Sequence, residues 1–203
     1  MKPADKAIDF SGKWRYIAIS TEVCLATTLV DVFLWPSAEV DITAKDTPNI
    51  YNANVNYKVY GMCYNESLPL YYANHNVFNV DSNNAPIGQA DVMLQTGCPD
   101  CLVVKGSDFM NTLTLFSKRK SVDAAEMKEF ETQVECLGWS KPLVFNTDHD
   151  YENCKSLDDD TADVETMQSY FNEMSKRVTN MSHKLIRCII EIILCQIITF
   201  FQK

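Results

Sequence analysis

The chain has 203 residues, 46% of them hydrophobic, with 18 basic against 27 acidic side chains and a formal net charge of -9. That length suffices for one domain with a substantial core and an appendage, and the acidic balance argues against a partner held through many phosphates, nucleic acid first among them. Eight cysteines and two glycosylation sequons, Asn65-Glu66-Ser67 and Asn180-Met181-Ser182, point to an oxidising, secretory compartment. The opening MKPADKAIDFSGKW holds no apolar stretch of signal-peptide length, so the secreted reading requires an export signal outside this chain or trimmed from it.

In chain order, residues 1–11 are a polar lead-in. KWRYIAIS, Lys13 to Ser20, is rich in strand formers, with Trp14, Tyr16 and Ala18 on one parity and Arg15, Ile17 and Ile19 on the other. Residues 22–34 read as a short helix or a covering loop. In AEVDITA, Glu39, Asp41 and Thr43 fall on the water side of a strand, and Val40, Ile42 and Ala44 on its interior side. NIYNANVNYKVYGMCYN has the clearest period. Asn52, Asn54, Asn56 and Lys58 share one parity, while Tyr51, Ala53, Val55, Tyr57, Val59 and Gly61 share the other, a separation that only a two-residue period gives. It predicts a long strand that bends near Gly61 and continues as MCYNESLPLYY, where Pro69 marks an edge, a bulge or a strand end. HNVFNV, QADVMLQTG, CLVVKG and NTLTLFSK follow, separated by turn chemistry. Such a run of about eight short strands between Lys13 and Lys118 predicts a sandwich or an up-and-down barrel.

VDAAEMKEFETQVECLGW changes the pattern. Val122, Met127, Phe130, Val134 and Leu137 recur at helical spacing, with Asp123 near the start and Gly138 after the end, which predicts an amphipathic helix lying on the outside of the barrel. LVFNT reads as a further short strand, DHDYENC as a loop, and SLDDDTADVETMQSYFNEMSKRV as an acidic segment with helical potential. The tail from Leu185 to Phe201 has 17 residues interrupted by Arg187, Glu191 and Gln196, against the ~20 mostly apolar residues of a spanning helix. It reads as a buried or partner-seeking helix and leaves membrane contact open. The expected division is therefore a barrel with its helix over 8–157, an acidic, partly helical or disordered segment over 158–182, and an apolar tail over 183–203.

Motifs of chemistry are missing: there is no G-x-S-x-G, Walker loop, H-E-x-x-H or G-x-G-x-x-G, so neither an enzyme nor a cofactor is expected. Cys98-Pro99-Asp100-Cys101 has the spacing of redox and zinc sites, but strand-like runs flank it, no second C-x-x-C exists, and His75, His149 and His183 are scattered. A local bridge or a pair of turn cysteines is the expectation, with no metal. Asp158-Asp159-Asp160 lacks the glycine and distal glutamate of an EF-hand loop and reads as a solvated acidic face.

Taken together, FSGKWRYIA at Phe10 to Ala18, the strand series, and LTLFSKRKSVDAAEMKEF at Leu113 to Phe130 resemble a lipocalin, with Gly12-Lys13-Trp14 matching the G-x-W at the start of the first strand. MCYNES, QTGCPDCLVV and VECLGWSKPLVFNTDHDYENCKSL carry a narrower likeness, to the branch of alpha-1-acid glycoprotein and apolipoprotein M and to fish plasma proteins of that branch that bind saxitoxin and tetrodotoxin. The likeness covers residues 8 to about 175. It implies an eight-stranded antiparallel up-and-down barrel, mainly β, that carries one small hydrophobic or amphipathic ligand through extracellular fluid: a lipid, a retinoid-like molecule or a guanidinium toxin. It also implies association with plasma lipoprotein.

The apolar parities of the strands then supply the lining, and tyrosines suit it, each offering a flat apolar body and an orienting hydroxyl. The expected ligand-binding set is Tyr16, Val40, Ile42, Tyr51, Val55, Tyr57, Val59, Leu113 and Leu115; the alternative is that these side chains fill a solid core. At the closed end the resemblance places Gly12 and Trp14 under a basic side chain. Lys118 fits by its distance to Phe130 and Arg119 by guanidinium stacking on an indole, so both stand. Cys63 and Cys154 match two cysteines that the family joins, a bond worth ~4 kcal/mol through the unfolded state. Cys136 matches a cysteine whose family partner lies near the mature N-terminus, upstream of the G-x-W; with no cysteine here before Cys24, it is left unpaired or takes Cys24. Two rival readings are a membrane-attached interaction protein anchored by the tail and an enzyme built on the C-x-x-C.

Overall fold

The computed structural model describes residues 10–31, 36–59, 62–107, 110–145, 151, 155–156, 167–168, 171–179, 181, 183, 185–186 and 188–190. Eight strands form one antiparallel ring: β1 (Gly12–Thr21), β2 (Pro36–Ala44), β3 (Ile50–Val59), β4 (Met62–Ala73), β5 (Asn76–Val80), β6 (Pro86–Leu94), β7 (Cys101–Gly106) and β8 (Thr112–Ser117). Each pairs with the next in sequence, β1 also pairs with β8, and the β4–β5 ladder completes the circuit. The result is a closed, mainly β, up-and-down barrel, which leaves no long open edge.

The turns explain the register. Asn74 and His75 both adopt left-handed φ, 51° and 63°, as a two-residue hairpin between β4 and β5 requires. At the next turn the Asp81 carboxylate accepts from the amides of Asn83 (2.8 Å) and Ala85 (2.9 Å), an Asx arrangement that fixes β5 to β6. Pro69 sits inside β4 one residue beyond the ladder to β5, which ends at Leu70, so its missing donor falls where that pairing has stopped. The period-two reading of β3 holds in three dimensions. Ala53 and Val55 are buried, Asn54 is exposed, and the Asn52 amide donates to Asn54 Oδ1 (2.8 Å) and Ser67 Oγ (2.9 Å) on the outer face.

After β1 the chain forms a short helix, α1 (Cys24–Leu29), and after β8 the amphipathic helix α2 (Ala124–Leu137). Asp123 is the N-cap of α2 in a reciprocal capping box with Glu126, and Gly138 ends the helix at φ 69°, each the device its residue type favours. Phe130 and Val134 of α2 pack outside the barrel against Ile17, Ala18, Leu94, Val103, Leu113 and Leu115. Two two-residue strands follow: β9 (Leu143–Val144) beside β1 and β10 (Lys155–Ser156) parallel to Met62 and Cys63 of β4.

Residues 171–179 are helical. This C-terminal segment is bonded to α1 by the disulfide Cys24–Cys188, with Cα atoms 5.8 Å apart, and Arg177 lies 4.0 Å from Asp31. Cys24 therefore does not pair with Cys136, which is a free, exposed thiol on α2. Among the described residues no helix is long and apolar enough to cross a membrane.

Candidate ligand cavity and its closed end

The barrel encloses a cavity of about 240 Å³, lined by apolar side chains from all eight barrel strands. Parity decides which residues reach it. Tyr16 of β1, Val40 and Ile42 of β2, and Val55 and Tyr57 of β3 all line it, as their alternation predicts, and Ala53 lies between the last two. Across the register, Ile42, Ala53 and Leu68 sit side by side, and all three face the cavity.

Four residues of the expected lining lie elsewhere. Leu113 and Leu115 point out of the barrel into the contact with Phe130 and Val134, and Phe116, on the opposite parity of β8, takes the inward position. The reason is that α2 buries the outer face of β8, so both parities of TLTLFS are apolar enough to be interior. Tyr51 packs at the closed end against Phe10 (5.4 Å between ring centroids) and Tyr72 (6.1 Å). Val59 lies at the other end of β3, paired with Pro36 and Met62 near the mouth and outside the cavity lining.

The closed end is built from the start of β1. Gly12 adopts φ 103°, a conformation that a side chain would strain, and Trp14 next to it is 2% exposed. Its indole N–H donates to the Phe10 carbonyl at 3.0 Å. Phe10 stacks on Tyr72 (5.0 Å), so a residue of the polar lead-in is part of the floor. Lys118 is the base over the indole, its ammonium 4.9 Å from the ring centroid, within cation–π range. Arg119 is turned away: it pairs with Glu126 (2.6 Å) and Asp100 (3.4 Å) and donates to Cys98 Sγ (3.3 Å). It thereby ties β8 to α2 and to the β6–β7 turn, and its hydrogen bond to Glu126 raises its already high pKa further.

Cys98 and Cys101 are bonded to each other in that turn and are 4% and 5% exposed. Glu126 lies close enough to both sulfurs for a metal cluster, but the disulfide removes the two thiolates that zinc would need. Cys63 is disulfide-bonded; Cys154, its expected partner, lies outside the described residues, as does Asn180. Asn65 is on β4 and exposed.

Polar groups reach the cavity at few points. Tyr16 is edge-on to Phe116 (4.3 Å) and Tyr57 stacks on Tyr64 (4.6 Å). Burial pushes the Tyr16 hydroxyl far above the ordinary tyrosine range, with Tyr57 and Asp91 adding to the shift. Tyr57 is raised too, by burial first and then by Tyr64 and Glu66. Asn79 of β5 and Asp91 of β6 complete the polar lining.

No protein-family model matches this sequence, and no curated protein does either. Solved structures do match: the chain is similar to the siderocalin Ex-FABP, described as functioning through dual ligand specificities, with a TM-score of 0.56 and 11% identity over 73% of this chain and 98% of that one. The fold is the lipocalin fold. The end of the barrel opposite the Trp14 and Phe10 packing is formed by the ends of β1, β3, β5 and β7 and the starts of β2, β4, β6 and β8. Residues that parity alone does not single out, Leu68, Leu70, Val77, Met93, Leu102 and Val104, complete the lining. Their signal was available in their pairing with already recognised positions, such as Leu68 beside Ala53.

Proposed function

We propose that this protein is an extracellular carrier that reversibly binds one small hydrophobic or amphipathic molecule inside its barrel, without chemistry. The observation that carries the reading is the cavity itself, about 240 Å³ above a floor of Phe10, Trp14 and Lys118. Binding draws on desolvation of the ligand against apolar walls, and orientation on Tyr16, Tyr57 and Asn79. The volume is slightly below the ~300 Å³ at which typical ligand pockets begin, which favours a compact ligand or one whose end protrudes through the mouth.

The disulfides Cys24–Cys188 and Cys98–Cys101 support an oxidising compartment, and exposed Asn65 is a glycan site in this reading. The barrel unit 8–157 carries the ligand, with 158–182 and 183–203 as appendages. Lipids and guanidinium toxins both belong to the reading through the resemblance to the alpha-1-acid glycoprotein and apolipoprotein M branch, and plasma lipoprotein association comes from the same source.

A second reading, contact of the C-terminal segment with an apolar surface, is favoured by the exposure of Phe171, Ile186, Ile189 and Ile190. The test is a fluorescence titration of the purified chain with N-phenyl-1-naphthylamine, a neutral apolar probe. Saturable one-to-one enhancement supports the carrier. A folded chain with no saturable response refutes it.

A further inference from the structure

The C-terminal segment turns an apolar stripe to the solvent. Residues 185–186 and 188–190 are helical, and Ile186, Ile189 and Ile190 are each about half exposed, while Cys188 among them is buried in its bond to Cys24. Spacings of three and four put the isoleucines on one side of a helix and the cystine on another. In the sequence the same spacing runs on through Ile193, Ile197, Phe200 and Phe201. Leu25, next to Cys24, and Leu29 one turn further along α1 are also exposed, so both elements joined by the bond carry apolar groups in water. Helix α1 sets the place of this patch. It begins three residues after Thr21, the last residue of β1, at the barrel end opposite Trp14. Glu22 accepts there from the Asn111 side-chain amide (2.9 Å), just before β8 starts at the same end. The disulfide therefore holds the stripe beside the mouth and away from the floor.

Charge separates this segment from the rest of the chain. Residues 171–203 carry five basic side chains against two acidic, Glu173 and Glu191, whereas residues 1–170 carry 13 basic against 25 acidic. An apolar stripe on a basic helical segment suits a membrane interface, with the stripe among acyl chains and the basic groups among headgroups. Screening over about 8 Å leaves the nearest charges, those of the segment, to set the sign of the attraction. A second copy of the chain fits less well, since two strongly acidic bodies would have to meet. We propose that this face docks on an anionic lipid surface and brings the barrel mouth to it. The inference rests on the second reading above, contact of the segment with an apolar surface, and names the partner.

The experiment is flotation of the purified full chain with vesicles of phosphatidylcholine alone and with vesicles of equal parts phosphatidylcholine and phosphatidylglycerol. Binding to the anionic vesicles is expected to be about tenfold or more tighter. Ile186→Ser combined with Ile190→Ser is expected to weaken it by about tenfold or more, and Lys184→Gln combined with Arg187→Gln to bring it down to the level of the neutral vesicles. Val144→Ser, at an exposed apolar residue of β9, is expected to change nothing. Far-UV circular dichroism checks that each variant is folded. Equal binding to the two compositions overturns the anionic partner and leaves the contact reading standing. Binding that survives the isoleucine substitutions overturns the proposal by moving the contact elsewhere. A dimer in sedimentation equilibrium that those substitutions dissolve, with no vesicle binding, assigns the stripe to a second copy and overturns it too. No binding to either vesicle and no dimer overturns the contact reading itself, while uptake of the naphthyl probe without vesicles tests the carrier separately.

Discussion

Replacing Ala53 by leucine separates a barrel with a cavity from a barrel with a filled core by the sign of the stability change. Ala53 is 3% exposed, lies mid-strand between Ile42 and Leu68, and has the smallest side chain of the lining. The three added carbons can only extend into the interior. At ~0.8 kcal/mol per buried carbon they contribute roughly 2.4 kcal/mol, and ordering the leucine rotamer costs about 0.5–1 kcal/mol. The net expectation is a gain of about 1.5 kcal/mol, visible as a higher urea midpoint at unchanged slope and a Tm increase of about 3–6 °C for a chain of this size. The same leucine occupies ligand space, so affinity for the naphthyl probe is expected to fall by about tenfold or more. In a close-packed core the substitution instead overpacks and costs roughly 1–3 kcal/mol. A lower urea midpoint for Ala53→Leu refutes the cavity.

Three further outcomes follow from other parts of the molecule. Trp14→Ala removes the floor of the barrel and is expected to cost about 3–5 kcal/mol in urea unfolding, whereas Lys118→Met costs only about 0.5–1 kcal/mol through the lost cation–π contact; equal effects would contradict the described floor. Cys24→Ser opens a bond between residues 164 apart in sequence and is expected to lower stability by up to about 5 kcal/mol in urea unfolding under non-reducing conditions, with an unchanged midpoint contradicting the pairing. The Tyr16 hydroxyl is raised in the folded state, chiefly by burial, so the native state holds its proton more tightly than the unfolded chain. Its contribution is fully present below the unfolded tyrosine pKa of about 10 and is lost as pH rises from there towards the folded value. Tyr16→Phe is accordingly expected to flatten the alkaline limb of the stability curve above about pH 10, and an unchanged limb counts against the burial.

The barrel was legible because its strands are short, its turns carry asparagine, aspartate and glycine, and β3 alternates with almost no exception. Helix α2 was legible down to its caps, since Asp123 and Gly138 are both local signals. Parity failed where a second layer covers the sheet: α2 makes the outer face of β8 apolar, so Leu113 and Leu115 read as interior while Phe116 takes that place. The same cover hides the facing of Asp91: with Val92, Met93 and Leu94 apolar on both faces, alternation within QADVMLQTG does not show which side carries the aspartate. Glu39 shows the converse. Its alternation places it on the water side, yet it is 4% exposed and held by Lys13 (2.7 Å) and Arg15 (3.0 Å). Phe10 was concealed by its polar neighbours, and its role in the floor depends on Tyr51 and Tyr72 arriving from distant strands. No local pattern marks Cys24 for Cys188, since their meeting depends on where the C-terminal segment docks.

The most direct measurement of the central claim is the number of apolar probe molecules held by each folded chain, counted by native mass spectrometry for the unmodified protein, for Ala53→Phe and for the outward-facing Asn54→Asp. One bound N-phenyl-1-naphthylamine, lost in Ala53→Phe and retained in Asn54→Asp, is the predicted result. No bound probe in the unmodified chain, or binding that survives Ala53→Phe, would contradict a ligand site inside the barrel.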